Sequence, residues 1–172
     1  DKNVDKIENV DFILNPVSGQ DNHIMYVLGD MHLAARNYDL DQFRTFANDL
    51  NNQITSNGSI KQYALTLGDM TWEVYWHQFT LSQYVAEINT QFPGLQIFHT
   101  IGNHDHDVNA AGDFNTVLEY FANLGPNYYS FNIGKVHYVV LDNIYCQNTG
   151  DGTDNSRFYE ESLDSEQLAW LK

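Results

Sequence analysis

The chain has 172 residues, of which 42% are hydrophobic; this is enough for one domain with its own core and excludes an extensively disordered protein. Eight basic and 23 acidic side chains give a formal net charge of −15, so we expect no binding to a nucleic-acid backbone. The single cysteine, Cys146, excludes an intrachain disulfide and a cysteine zinc site, and no apolar run is long enough to span a membrane.

The first part of the chain predicts one strand–helix–strand unit after a polar start. We interpret residues 1–22 as a leading segment or a linker from a preceding domain, with a short strand over 10–14. The apolar runs 24–28 and 63–67 predict two buried strands. Between them, apolar residues at steps of three and four predict a helix over 40–54, with Asp39 and Gln42 as a capping box at its start.

The rest of the chain repeats the pattern and then changes its period. A second helix is predicted from Phe79 to Phe92, and a third strand over 95–101. A third helix is predicted over 114–124, with apolar residues on one face: Val117, Leu118, Phe121 and Leu124. Residues 128–133 and 136–141 predict a β-hairpin, 143–161 a long polar loop, and Asp164 with Gln167 a second capping box.

This alternation of strands and helices predicts an α/β fold with a parallel sheet and right-handed crossovers. In such sheets, ligands bind beyond the carboxyl ends of the strands. Each of the first three predicted strands runs into a glycine followed by a residue that can bind a metal: Asp30, Asp69 and Asn103. The site is therefore expected at that edge of the sheet.

Three short motifs carry the candidate chemistry. Gly29-Asp30-Met31-His32 supplies a carboxylate and an imidazole, ligands that suit zinc, iron or manganese. Gly68-Asp69 supplies a second carboxylate, and Gly102-Asn103-His104-Asp105 an amide oxygen, an imidazole and a further carboxylate. Each motif alone is equally compatible with a polar turn. Their order, each after a strand and separated by helices, makes a joint site the better interpretation.

Together these blocks resemble the Asp-x-His, Gly-Asp and Gly-Asn-His-Asp motifs of the calcineurin-like metallophosphoesterase superfamily. The hairpin and the later Leu163-x-x-x-Gln167-x-x-Trp170-Leu171 resemble that family too. The resemblance covers about residues 23–172, the N-terminal and central part of such a domain. It implies a four-layer αββα sandwich that is incomplete at its C-terminal end.

The resemblance also implies roles for the motif residues. Asp30 and His32 would bind a first metal ion, Asp69 would bridge two ions, and Asn103 would bind the second. His104 would act as a general acid or stabilise developing charge near the scissile phosphate, with Asp105 accepting from its other ring nitrogen. The implied cofactors are two divalent or trivalent ions, of manganese, iron, zinc or magnesium.

The expected reaction is hydrolysis of a phosphomonoester or phosphodiester by a hydroxide that two metal ions activate. Two alternatives stay open at this point. The chain could be a binding or structural module that keeps the fold without turnover, or a two-metal hydrolase acting on another bond. The sequence does not identify the substrate, because substrate choice depends on the site and its loops.

The chain departs from the family pattern in two places. A second aspartate often follows the Gly-Asp by three residues, but here that position is Trp72, with Glu73 next. The later Gly-His-x-His motif is absent from the chain. We therefore expect further domains or segments of the same polypeptide, and weak activity from these residues alone. The polar, Asp-, Asn- and Tyr-rich composition and the leading segment resemble envelope-associated bacterial members of the family, and this resemblance favours a bacterial periplasmic or exported protein over a cytoplasmic one.

Residues beside the motifs have weaker predicted roles. His106 and Asp107 are expected to rim the pocket. Arg36 follows His32 closely and could contact phosphate or lie on the surface. Trp72 could form an apolar wall beside a leaving group, or pack in the core.

Overall fold

The computed structural model describes residues 17–151 and 158–172. Its centre is a parallel sheet of three strands in the order β1 (His23–Leu28), β2 (Lys61–Thr66) and β3 (Gln96–Phe98). β1 and β2 pair over their whole length, from His23 with Lys61 to Leu28 with Thr66. The third strand pairs over three residues and is shorter than the predicted 95–101.

Two helices cover one face of this sheet: α1 (Asp39–Ser56) and α2 (Leu81–Gln91). Side chains alternate across a strand, so every second residue faces the helices. Leu28 and Ala64 are buried there, and Ile97 packs against the same cluster. The helices contribute the buried side chains Phe43, Ala47, Leu50, Tyr84 and Ile88.

A second sheet layer covers the opposite face. The antiparallel hairpin β4 (Tyr129–Ile133) and β5 (Val136–Val140) forms as predicted. Phe98, which follows Ile97 and so points away from the helices, stacks on Phe131 with ring centroids 3.6 Å apart. Phe131 also stacks on Tyr138 at 5.0 Å. Helix, sheet and second sheet thus lie in layers, and the predicted α/β class is confirmed.

The segment after β3 holds two short helices where one was predicted. α3 (Asp113–Thr116) and α4 (Leu118–Asn123) are separated at Val117. Val117 and Tyr120 are buried, but Leu118 is 46% exposed, so its predicted place on the inner face is wrong. The break at Val117 changes the helical phase between the two halves.

Two parts of the predicted polar loop 143–161 form short strands, and its residues 152–157 lie outside the described ranges. β6 (Ile144–Cys146) and β7 (Tyr159–Glu161) pair as an antiparallel ribbon. α5 (Ser165–Leu171) follows, with Asp164 capping it by accepting from the Gln167 backbone N–H at 2.6 Å. The Gln167 side chain bonds the backbone of Asp142 instead of completing a capping box. None of the helices in the described ranges is both long and apolar enough to cross a membrane.

The predicted cap of α1 is wrong. The N-cap is Tyr38, with a left-handed φ of 70°, and Asp39 is the first helical residue. Asp39 therefore lies one position too late to be the cap, and its carboxylate accepts from Arg36 Nε at 2.6 Å instead. The strand predicted over 10–14 lies outside the described residues.

Candidate metal centre

The loops that follow β1 and β2 continue to pair beyond the strands. The backbone N–H of His32 donates to the Asp69 carbonyl at 2.8 Å, and that of Leu33 to the Met70 carbonyl at 2.9 Å. These bonds fix the position of one predicted motif against the next. The third motif forms a short 3-10 turn over Asn103–Asp105, which follows β3 after residues 99–102.

The structure brings three side chains of these loops into one cluster. His32 Nε2 lies 3.1 Å from Asp69 Oδ2. One ligand atom each from His32, Asp69 and His104 lies within 4.8 Å of the others. Asp30 Oδ1 approaches the same His32 nitrogen at 3.9 Å, and its side chain is 80% exposed. The carboxylates of Asp30 and Asp69 therefore converge on one imidazole.

Three of the four predicted metal ligands have unusual backbone conformations. Asp30, His32 and Asp69 have φ values of 48°, 46° and 50°. A residue with a side chain loses about 1–3 kcal/mol in such a left-handed conformation, which persists only where the surroundings hold it. Strain of this kind concentrates at functional sites. Its occurrence at these three positions supports a functional centre here.

Two glycines allow the loop after β2, called the second loop, to touch the loop after β3, called the third loop. Gly68 has a φ of 93°, and a Cβ there would collide with the backbone of Gly102. A Cβ on Gly102 would in turn collide with the carboxylate of Asp69. With no side chain at either position, the Asp69 Oδ1 accepts from the His104 backbone N–H at 3.0 Å. The glycines of the motifs are thus needed for the close approach of the loops.

His104 is oriented by a carboxylate that differs from the predicted one. Its Nδ1 lies 2.6 Å from Oε2 of Glu73, whose side chain is fully buried. The expectation that Asp105 accepts from this ring is therefore wrong. Glu73 lies one residue beyond the position where the family pattern places a second aspartate. A carboxylate so near the expected position was the sequence signal that could have identified Glu73 as the partner of His104. A 3-10 turn over Glu73–Tyr75 puts it within reach of that ring.

Asp105 has a structural partner set instead. It is fully buried and accepts from the backbone N–H groups of Gly102 at 2.9 Å, Met70 at 3.0 Å and Thr71 at 3.1 Å. Complete burial raises the pKa of its carboxyl to about 7, against the lowering effect of the bonds from Gly102 and Thr71. Asp105 therefore ties the third loop to the second and lies behind the site.

His106 does not rim the pocket as predicted, because its side chain is buried. Its Nδ1 lies 2.8 Å from the Thr116 hydroxyl and 3.1 Å from the Cys146 thiol, and its Nε2 3.8 Å from Asp142. Burial alone would lower the pKa of His106, but its contacts with Asp142 and Cys146 raise it to about 10. This histidine joins α3 and β6 to the loop of the site.

The donor set of the cluster fits a metal ion. His32, Asp69 and His104 offer imidazole nitrogen and carboxylate oxygen, which suit zinc, iron and manganese. His32 Nε2 and Asp69 Oδ2 lie 3.1 Å apart. A cation bound between them would replace the proton that joins these two atoms. Asn103 adjoins His104 in sequence, and its role as a ligand stays a prediction.

Comparison with models of protein families gives a match over most of the chain. A family model described as calcineurin-like phosphoesterase matches residues 25–172. None of the curated proteins compared with the chain matches it.

Proposed function

This chain belongs to the calcineurin-like phosphoesterase family, and on that premise we propose that it hydrolyses a phosphomonoester or phosphodiester with the help of two metal ions. The matched region contains all six predicted site residues: Asp30, His32, Asp69, Asn103, His104 and Asp105. Phosphoester hydrolysis by a metal-dependent enzyme is the general activity that the family supports. The two-ion mechanism and the roles of the individual residues are the proposal.

The observation that carries the proposal is the cluster of His32, Asp69 and His104 at the carboxyl edge of the parallel sheet. Each residue comes from a different strand exit, and each loop is fixed to its neighbour by hydrogen bonds that a backbone N–H donates. Preorganised groups of this kind are what the transfer of a charged phosphoryl group requires. A polar turn would not need three ligand atoms within 4.8 Å of one another.

Asp30, His32, Asp69 and Asn103 would hold the ions. When bound, the ions would neutralise the phosphoryl oxygens and lower the pKa of an attacking water. Asp69 suits a shared position because its two oxygens face different groups. Oδ1 accepts from the His104 N–H at 3.0 Å, and Oδ2 faces His32 Nε2 at 3.1 Å.

His104 would supply the proton that the leaving oxygen needs. Because Nδ1 faces the Glu73 carboxylate at 2.6 Å, this nitrogen keeps its own proton, and the proton given to the leaving oxygen would be a second one, carried on Nε2 of the imidazolium. A general acid in this position contributes about 10²- to 10⁴-fold to the rate. Glu73 acts through His104 by fixing its tautomer and ring orientation, and is therefore a positioning residue.

The test is hydrolysis of an aryl phosphomonoester and an aryl phosphodiester by the full-length protein, with and without a chelator. Chelation should abolish turnover, and Mn²⁺ or Zn²⁺ should restore it. His104→Ala should retain bound metal and lose about 10²-fold or more in turnover on a poor leaving group. His137→Ala, on the exposed surface of β5, is the matched control. Turnover that survives chelation would contradict the proposal.

A further inference from the structure

A group of three side chains lies beside the metal cluster, and we call it the Arg36 clamp: Arg36, Asp39 and Trp72. The Arg36 guanidinium carbon lies 4.5 Å from the centroid of the Trp72 ring. Arg36 Nε donates to Asp39 Oδ2 at 2.6 Å, and Nη2 donates to the carbonyl of His32 at 3.1 Å. One arginine thus contacts the backbone of a candidate ligand, the start of α1 and the loop after β2.

The indole of the clamp contacts both histidines of the site. The Trp72 ring meets the ring of His32 edge-on, with centroids 5.5 Å apart, and that of His104 at 5.7 Å. The two histidine rings are 4.6 Å apart from each other. Trp72 therefore borders a three-ring group that contains a predicted metal ligand and the predicted proton donor.

The loop that carries His32 borders an open pocket on the side that faces α1. A cavity of about 400 Å³ lies between this loop and α1, lined by Gly29, Met31, Phe43 and Phe46 together with Arg36. His32 also has a left-handed φ of 46°, a conformation that needs its surroundings to hold it. Met31 and Leu33 pack on the core on either side of His32, and the clamp contacts the backbone of His32 itself.

We propose that the Arg36 clamp positions His32 and His104 for metal binding and proton transfer, which makes Arg36 and Trp72 positioning residues. This inference rests on the proposed function of the site. Arginine suits the task because its planar guanidinium can stack on an indole while its edge donates to a carbonyl and a carboxylate. A lysine ammonium has the charge without this geometry.

The Asp39 carboxylate favours this role over direct binding of the substrate. At 2.6 Å it offsets the charge of Arg36, which reduces the attraction of the guanidinium for a phosphate. The other arginine of the described residues, Arg44, provides a matched comparison. It donates to Glu87 at 2.8 Å and 3.1 Å on the exposed surface between α1 and α2.

The experiment compares Arg36→Met, Arg36→Lys and Trp72→Leu with Arg44→Met in the full-length protein. Mn²⁺ affinity is measured by calorimetry without substrate, kcat and KM with p-nitrophenyl phosphate, and folding by circular dichroism. The Arg36 and Trp72 variants should weaken Mn²⁺ binding by about 10- to 100-fold, as the loss of groups that orient a metal ligand does. They should lower kcat with little change in KM, and Arg44→Met should match the wild type.

Several outcomes would overturn the inference. Unchanged Mn²⁺ affinity in all three variants would do so. Wild-type Mn²⁺ affinity and kcat in Arg36→Lys would also do so, since charge alone would then suffice. A raised KM with unchanged kcat and metal affinity would make Arg36 a substrate contact instead. If a variant unfolds, the other two decide the question. Absence of Mn²⁺ binding by the wild type would overturn the proposed metal site itself, a result distinct from failure of the clamp alone.

Discussion

Glu73 and Asp105 are both buried carboxylates near His104, and their partners give them different roles. Glu73 contacts the ring of His104, whereas Asp105 accepts from three backbone N–H groups of the second and third loops. A group bonded to the ring of the proposed proton donor should affect turnover, and one bonded mainly to backbone should affect folding. Substitution of each carboxylate by its amide should separate the two effects.

Glu73→Gln should lower turnover by about 10²-fold and leave the metal content unchanged. The amide has almost the same shape, but it can present either its oxygen or its NH₂ to Nδ1, so it no longer fixes the tautomer of His104. Turnover and bound metal are measured together, with Glu160→Gln on the exposed β7 strand as the control. Wild-type turnover in the Glu73 variant would exclude a positioning role.

Asp105→Asn should instead destabilise the fold, by about 2 kcal/mol or more. The asparagine NH₂ would face backbone donors of Gly102, Met70 and Thr71, and a buried donor without a partner costs about 1–3 kcal/mol. Urea denaturation measures the free energy of unfolding. A variant as stable as the wild type would show that water or rearranged backbone satisfies these donors.

At the scale of the elements, one sequence pattern led to two different outcomes. Asp39-x-x-Gln42 and Thr80-x-x-Gln83 both have the spacing of a capping box, and only the second forms one. Thr80 Oγ1 accepts from the Gln83 N–H at 3.2 Å, and Gln83 Oε1 accepts from the Thr80 N–H at 2.8 Å. The Asp39 carboxylate is bonded to Arg36, a contact that local spacing does not reveal.

Thr80→Ala should therefore lower the free energy of unfolding by about 1 kcal/mol, the usual loss when a capping hydroxyl is removed. The measurement is a urea titration monitored by circular dichroism. Ser82→Ala is the control, since Ser82 is an exposed residue in the first turn of the same helix. Equal losses in the two variants would mean that helix propensity, and not the cap, determines the effect.

For the whole molecule, the sequence predicts the fold well because the α/β pattern constrains the topology strongly. Parallel strands place their carboxyl ends at one edge, so the convergence of Asp30, His32 and Asp69 follows from the order of the elements. The partners of buried side chains do not follow from it. Glu73 reaches His104 through a 3-10 turn, and His106 turns inward toward Cys146, 40 residues away in the chain. Contacts of that range depend on tertiary packing.

His99 lies where the two sheets meet, and its burial there disfavours the charged form of its imidazole. Its backbone N–H and carbonyl both bond the Tyr129 hydroxyl at 2.9 Å, and its ring lies edge-on to Tyr84 at 5.8 Å. Its buried Nδ1 has no hydrogen-bond partner among the described residues. Burial lowers the pKa of His99 to about 4.

The stability of the protein should accordingly depend on His99 below neutral pH. The folded state keeps this imidazole neutral, whereas the unfolded chain takes up a proton near its ordinary pKa of about 6.5. Its contribution is therefore fully present above pH 6.5 and is lost as the pH falls toward 4, by about 2 kcal/mol at pH 5. His99→Phe, neutral at every pH, should lack this loss. Urea unfolding of both proteins at pH 7.5 and 5.0 isolates the effect. The other buried groups that titrate, such as Asp105 and His106, are present in both proteins, so their contributions cancel in the difference. If the two proteins lose the same free energy between these pH values, His99 does not titrate as its burial requires.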